Sequence, residues 1–191
     1  MEKFTGQVLL ITGERNSGKT LLCKRVVEIA RKANWQIKGL ISPAILKGDQ
    51  KAGIGVEDLF TGKRFMLARP PEETDAAAPV RTEGWVFDER CIAWCNNVLE
   101  QSTPTDLLVV DEIGPRELVQ NNGWTAAIPA VASEKFHLAL VVVRDELLHN
   151  LQERFPQADV VRVTTADRID DLVEQMIGTM MSNQGILGEL G

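Results

Sequence analysis

Five short apolar runs punctuate the chain: Val8 to Thr12, Ile37 to Ser42, Leu107 to Val110, Leu138 to Val143 and Val160 to Thr164. None alternates with polar residues, so each predicts a strand covered on both faces, as in a parallel sheet. Between them the period changes to three and four. Leu21 or Leu22, Val26, Ile29 or Ala30, and Ala33 share one face of a predicted helix over Thr20 to Asn34, with Lys24, Arg25, Arg31 and Lys32 left for solvent. Further helices are predicted from an Asp88 cap to about Gln101, over Trp124 to Ser133, over Asp145 to Arg154 and over Ile169 to Met181. Pro43 stops the second strand. A turn-rich KGDQKAG follows, and IGVEDLF-TG-KRFMLA predicts a β-hairpin around Thr61-Gly62, inserted into the α/β alternation. Residues 69–84 carry no period and predict a long surface loop. Strands alternating with helices imply a mostly parallel sheet with helices on both faces, a three-layer α/β sandwich.

Composition narrows this little. The 191 residues, 44% hydrophobic and 25% charged, suit one soluble domain over 1–181, with a weakly patterned tail over 182–191 that is expected to be disordered. A net charge of −6 argues against a general nucleic-acid binder. Cys91 and Cys95 lie four apart on one helix face. With no second Cys/His pair nearby, they and Cys23 read as small buried residues of a reducing compartment. No long apolar segment follows the first residues, so neither a signal peptide nor a membrane span is expected, and the cytoplasm is the default location.

The chemistry is concentrated in two places. Gly13-Glu14-Arg15-Asn16-Ser17-Gly18-Lys19-Thr20 fits G-x-x-x-x-G-K-[ST], a phosphate loop, without mismatch. An apolar strand comes directly before it and an amphipathic helix directly after. In such a loop successive N–H groups and the helix N-terminus face phosphate oxygens. Lys19 would bridge the β- and γ-phosphates, and the Thr20 hydroxyl would ligate Mg²⁺. Glu14, Arg15 and Asn16 occupy the middle of the loop, where small residues are common. Arg15 either points outward as surface variation or leans over the phosphates.

The second place is TDLLVVDEIGPREL, in which four apolar residues deliver Asp111 and Glu112 to the C-terminal edge of the sheet, where open α/β sheets bind ligands. Asp111 would hold the metal, and Glu112 would polarise an attacking water.

With both motifs in hand, the chain resembles the THEP1-type nucleoside-triphosphatases, known in animals as cancer-related nucleoside-triphosphatases. DEIGPREL is similar to that family's DEIGxMEL, with Arg116 where Met is usual. Gly39 to Ser42, Gly53-Ile54 and the hairpin VEDLFTGKRFMLAR resemble its segment after the first helix. VTTADRIDDL resembles its closing segment, with Asp167 for Asn and Arg168 retained. The resemblance implies a slow, Mg²⁺-dependent NTPase of broad base preference on a P-loop fold, with another strand between the phosphate-loop strand and the Asp-bearing one. Residue by residue it implies nucleotide binding by Gly13 to Thr20, metal association for Asp111 and catalysis by Glu112. The loop departs from the family's usual GPPGVGKTT, and Pro43-Ala44 replaces an acidic position.

Arg144, at the end of a predicted strand, and Arg168 are the favoured candidates for a mobile cation near the γ-phosphate, against surface salt bridges. The guanine-reading [NT]KxD is absent, since TTAD lacks its Lys. Trp85, Trp94 and Trp124 read as anchors rather than base stackers. The expectation is hydrolysis of ATP, GTP and other nucleoside triphosphates by a protein without membrane or nucleic-acid partners. A nucleotide-dependent switch acting on an unknown protein partner, or a P-loop small-molecule kinase, remains open.

Overall fold

The computed structural model describes residues 4–73, 75, 80–114, 122–165 and 168–183. One nine-stranded sheet runs through it, from β1 (Gln7–Thr12), β2 (Ile37–Ile41), β3 (Ala44–Lys47), β4 (Gln50–Asp58), β5 (Arg64–Arg69), β6 (Val86–Phe87), β7 (Thr105–Ile113) and β8 (Phe136–Val143) to β9 (Asp159–Arg162). Its order is β6-β5-β4-β2-β7-β8-β1-β9, with β3 paired to β4 off that path. The strands from β2 to β9 in this order are parallel, and those from β4 outward are antiparallel. Among the described residues, five α-helices accompany them: α1 (Lys19–Lys32), α2 (Glu89–Glu100), α3 (Ala127–Ala132), α4 (Leu148–Arg154) and α5 (Ile169–Asn183).

The unbroken apolar runs explain the layers. In β1, Val8 and Leu10 enter one core while Leu9 and Ile11 enter the other. In β8, Ala139, Val141 and Val143 oppose Leu138, Leu140 and Val142 in the same way. One core is closed by Cys91, Ile92, Cys95 and Leu99 of α2 with Ala127 and Val131 of α3. The other is closed by Leu22, Cys23, Val26, Val27 and Ala30 of α1 with Ile169, Val173 and Met176 of α5. Burying each such aliphatic side chain contributes roughly 1.5–3 kcal/mol, which is why a strand covered on both faces tolerates no polar alternation. Gly39 marks the tightest contact in the sheet. Its φ is 108°, and a Cβ there would lie 2.0 Å from the Val109 carbonyl oxygen.

The capping prediction for α2 holds. The Asp88 carboxylate accepts from the Arg90 and Cys91 amides at 2.8 and 3.0 Å, leaving fewer unpaired donors in the first turn. All three cysteines are buried and unbridged.

Three expectations need correction. The run Val160 to Thr164 is not a core strand: β9 is the edge of the sheet, pairs only with β1, and leaves Val160 39% exposed. Of the run's apolar residues, Val163 is buried and Val161 partly buried against the core closed by α1 and α5. The turn-rich KGDQKAG is mostly strand, because Gly48 at φ 61° makes a tight reversal between β3 and β4. The hairpin around Thr61-Gly62 is present as β4–β5, inserted into the α/β alternation as expected, and it joins the main sheet through β2. The helix expected from Trp124 begins only at Ala127, after a turn fixed by Asn96, which accepts from the Ala126 amide and donates to the Gly123 carbonyl.

Within the expected loop 69–84, residues 74 and 76–79 lie outside the described residues. Its base is braced by Arg69, which donates to both oxygens of Asp75 at 2.6 and 2.8 Å and holds that carboxyl at about 2. Of the expected tail, Ser182 and Asn183 belong to α5, and residues 184–191 lie outside the described residues. Among the described residues no helix is long and apolar enough to cross a membrane.

Candidate active site

The phosphate loop leaves β1 at Gly13 and becomes α1 at Lys19, as its strand-turn-helix context requires. Gly13 has φ 143°, and a Cβ on it would lie 2.2 Å from the Val163 carbonyl oxygen, so the strand β9 side presses the loop from behind. Gly18 has φ 107° and Asn16 φ 64°. That left-handed angle accounts for Asn16, since asparagine is among the few non-glycine residues that adopt it readily. Glu14, Arg15 and Asn16 are exposed on the outer arc. Lys19 folds back across the loop, donating to the Gly13 and Glu14 carbonyls at 2.8 and 2.7 Å. An ammonium parked on two backbone carbonyls beside the loop's mouth is a cation placed for phosphate.

β7 delivers the acidic pair. Its register with β8 shifts between Val110 and Ile113, so the ladder is interrupted where Asp111 and Glu112 turn toward the loop. β8 itself separates β7 from β1, as the family resemblance implied. Asp111 is 2% exposed. The Thr20 hydroxyl lies beside it and lowers its pKa, and it accepts from the Ser42 amide at 3.2 Å. Burial pushes its carboxyl up to about 6, with Glu112 adding to the rise, while Thr20, Ser42 and Lys19 restrain it. Thr20 and Asp111, predicted from separate motifs, are therefore in contact.

The donor set fits a small divalent cation. It offers a hydroxyl and a buried carboxylate, the hard oxygen ligands that Mg²⁺ prefers, and such an ion would offset the burial that raises the Asp111 carboxyl. Two further hydroxyls at this site, those of Ser17 and Ser42, are buried without a hydrogen-bond partner.

Glu112 is one-third exposed, and its Oε1 accepts from Arg144 Nε at 2.6 Å. Arg144 is the C-terminal neighbour of β8, so the strand between the two motifs ends on the cation that meets the catalytic candidate. The next residue, Asp145, accepts at 2.7 Å from the Thr12 hydroxyl and at 2.7 Å from Arg162 Nη1. These bonds, Thr12's first, hold its carboxyl below its usual range and tie the end of β8 to the residue that precedes the phosphate loop.

Gly13 to Thr20, Asp111, Glu112 and Arg144 thus converge. Arg168 does not join them by any bond among the described residues: it is exposed at the entry to α5, and only its backbone amide is engaged, by the Thr165 carbonyl at 3.4 Å. Arg116 and Asp167 lie outside the described residues. The sequence reading missed Asp145, Ser42 and Lys51. Asp145 carried a usable signal, because it follows a buried strand just as Asp111 does. Lys51, whose ammonium feels Arg15, Glu112 and Arg144, carried none.

Comparison with known proteins agrees with this geometry. A family model described as NTPase matches residues 8–177. The nucleoside-triphosphatase THEP1 of Methanopyrus kandleri is 29% identical over 173 residues, covering 88% of this chain and 92% of its own. That of Natranaerobius thermophilus is 29% identical over 175 residues, 91% of this chain and 96% of its own. The solution structure of a human cancer-related nucleoside triphosphatase superposes with a TM-score of 0.71 at 22% identity, over 92% of this chain and 98% of that one, which shows a shared fold. With a matching model that spans both motifs, the strand between them and the antiparallel extension, the chain belongs to the NTPase family.

Proposed function

We propose that the protein hydrolyses nucleoside triphosphates at the γ-phosphate, with Mg²⁺, releasing the diphosphate and inorganic phosphate. The observation that carries this is the meeting of Thr20 with Asp111 beneath a phosphate loop, with Glu112 next to them and open to water. The loop amides and the α1 N-terminus bind the phosphates. Lys19 leaves its two carbonyls for the β- and γ-phosphoryl oxygens. Thr20 and Asp111 would hold the divalent ion, which would supply charge neutralisation to the phosphates. Glu112 orients a water and accepts its proton as the water oxygen attacks the γ-phosphorus and the bond to the β,γ-bridging oxygen breaks, a role worth roughly 10²–10⁴-fold in rate. Arg144, already on Glu112, is within reach of the charge that develops on the transferred group.

A second reading, a switch whose turnover awaits a partner, is favoured by one feature: Glu112 is engaged by Arg144 in this state. The buried thiols fit a reducing cytoplasm. Phosphate release from a panel of nucleoside triphosphates with Mg²⁺ tests the first reading against the second. Release by the wild type that Lys19→Ala abolishes supports a stand-alone hydrolase. Tight binding without release supports the switch.

A further inference from the structure

The antiparallel extension reaches the site. The chain leaves β2 at Ile41, passes Ser42, whose amide is on Asp111, and enters β3 at Ala44. β4 pairs with β2 only through Glu57 and Asp58, and its earlier residues pair with β3 instead. The Gly55 amide bonds the Pro43 carbonyl at 2.9 Å. The β3–β4 hairpin therefore continues past the C-terminal end of β2, the edge that carries the phosphate loop and the acidic pair. Lys51 lies six residues before Glu57, which at about 3.3 Å per residue is roughly 20 Å along the strand. Irregular registers at Ile45/Leu46 and at Ile54/Gly55 are the places where such a ribbon bends.

The Lys51 ammonium is close enough to Arg15 of the loop, Glu112 of β7 and Arg144 of β8 to feel their charges, as a ribbon bent toward the site would place it. Burial first, and then Arg15, draw its pKa down. The ammonium sits 4.9 Å from the centre of the Trp85 ring. Trp85 directly precedes β6, which pairs with β5 at Arg69, so the ring comes from the same overhanging end of the sheet. A lysine serving only to keep a hairpin tip soluble would stand clear of other cations. This one is held on an aromatic face, in the field of Arg15 and Arg144 as well as of Glu112, a setting suited to an anion.

We propose that Lys51 is a further residue of the triphosphate site, brought over the phosphate loop by the β3–β4 hairpin, and that it distinguishes a triphosphate from a diphosphate. Trp85 is its positioning residue. The assignment rests on the hydrolase reading above. The α- and β-phosphates are met by the loop amides, so a cation arriving from the far side of Glu112 meets the γ-phosphate, which a diphosphate lacks.

The test is equilibrium binding of a non-hydrolysable ATP analogue and of ADP, each with Mg²⁺, to the wild type, Lys51→Gln, Lys51→Arg, Trp85→Ala and Trp85→Phe, with steady-state turnover alongside. Lys51→Gln is expected to weaken the analogue about tenfold, the effect of one charge-assisted hydrogen bond, and ADP less than about twofold. Lys51→Arg keeps most of the discrimination. Trp85→Ala loses part of it and Trp85→Phe restores it, a pattern that a merely structural ring would not give. Equal weakening of both ligands, or none, with turnover still abolished by Lys19→Ala, overturns the Lys51 assignment and leaves the hydrolase reading standing. A wild type that binds neither nucleotide overturns both.

Discussion

The parallel half of the sheet and its antiparallel extension make an instructive contrast. In the parallel half, β2, β7, β8 and β1 are covered on both faces, and every apolar residue from Leu107 to Val110 is fully buried. Its chemistry sits at strand ends and depends on backbone: a loop that folds around left-handed residues, and a strand whose register breaks at its acidic pair. The extension, β3 to β6, leaves Leu46, Phe65 and Met66 about half or more exposed. Its contribution depends on one long side chain held against one ring. A region buried on both sides permits little substitution, so its function is built in. A region with a free face can vary, so it is suited to tuning what the first region does.

Mutations sharpen that contrast, and the largest effects belong in the parallel half. Gly39→Ala places a Cβ 2.0 Å from a backbone carbonyl of the neighbouring strand at φ 108°. Expected is a loss of about 3 kcal/mol or more, read by chemical denaturation, since neither strand has a flexible tip that gives way. A well-folded variant of wild-type stability would mean that β2 and β7 separate more easily than two-sided burial implies.

Next comes Asp111. Its folded pKa, about 6, lies above the ordinary 3.8, so between those values the folded state binds more protons than the unfolded chain. Metal-free stability contributed by this group therefore falls as pH rises through that window, by on the order of 1–3 kcal/mol. Thermal melts without metal should decline from pH 4 to pH 6.5 in the wild type and be flatter in Asp111→Asn. At pH 7, Mg²⁺ should raise the melting temperature of the wild type and not that of the variant. The same Mg²⁺ effect in both would remove Asp111 from the metal site.

Arg144→Gln is expected to lower kcat by about 10–100-fold while changing KM for the triphosphate by less than about threefold, because its partner is the catalytic candidate and not the loop. A change confined to KM would place Arg144 on bound substrate alone. The smallest effects belong to the extension. Phe65 meets Trp94 edge-on at 4.7 Å, and Phe65→Ala should lose about 0.5–1.5 kcal/mol of stability with turnover unchanged. A large loss of turnover there would make the extension's fabric, and not only Lys51, part of catalysis.

The same division governed what was legible in the sequence. Lys19, Thr20, Asp111 and Glu112 were readable because short motifs stand at the ends of unbroken apolar runs, and such runs leave few alternatives for where a strand stops. Arg144 was expected near the site by the same logic, but its pairing with Glu112 was not foreseen. β9 was misread as core because an apolar run does not say whether a second strand will flank it, and here β1 is its one partner. The β3–β4 ribbon was misread as a turn because Lys47 to Gly53 has the composition of a loop, and pairing is decided by the partner strand. Lys51 was invisible for a simpler reason: nothing local marks a lysine whose neighbours come from residues 15, 85, 112 and 144.

The central claim is that the parallel half binds the triphosphate through Gly13 to Thr20 and cleaves it through Glu112. It is tested most directly by measuring binding and γ-phosphate release of the same Mg²⁺-loaded triphosphate in Glu112→Gln. The account predicts binding within about threefold of wild type and release slowed by about 10²–10⁴-fold. Release at the wild-type rate would contradict it, and the residue that activates the water would have to be sought elsewhere.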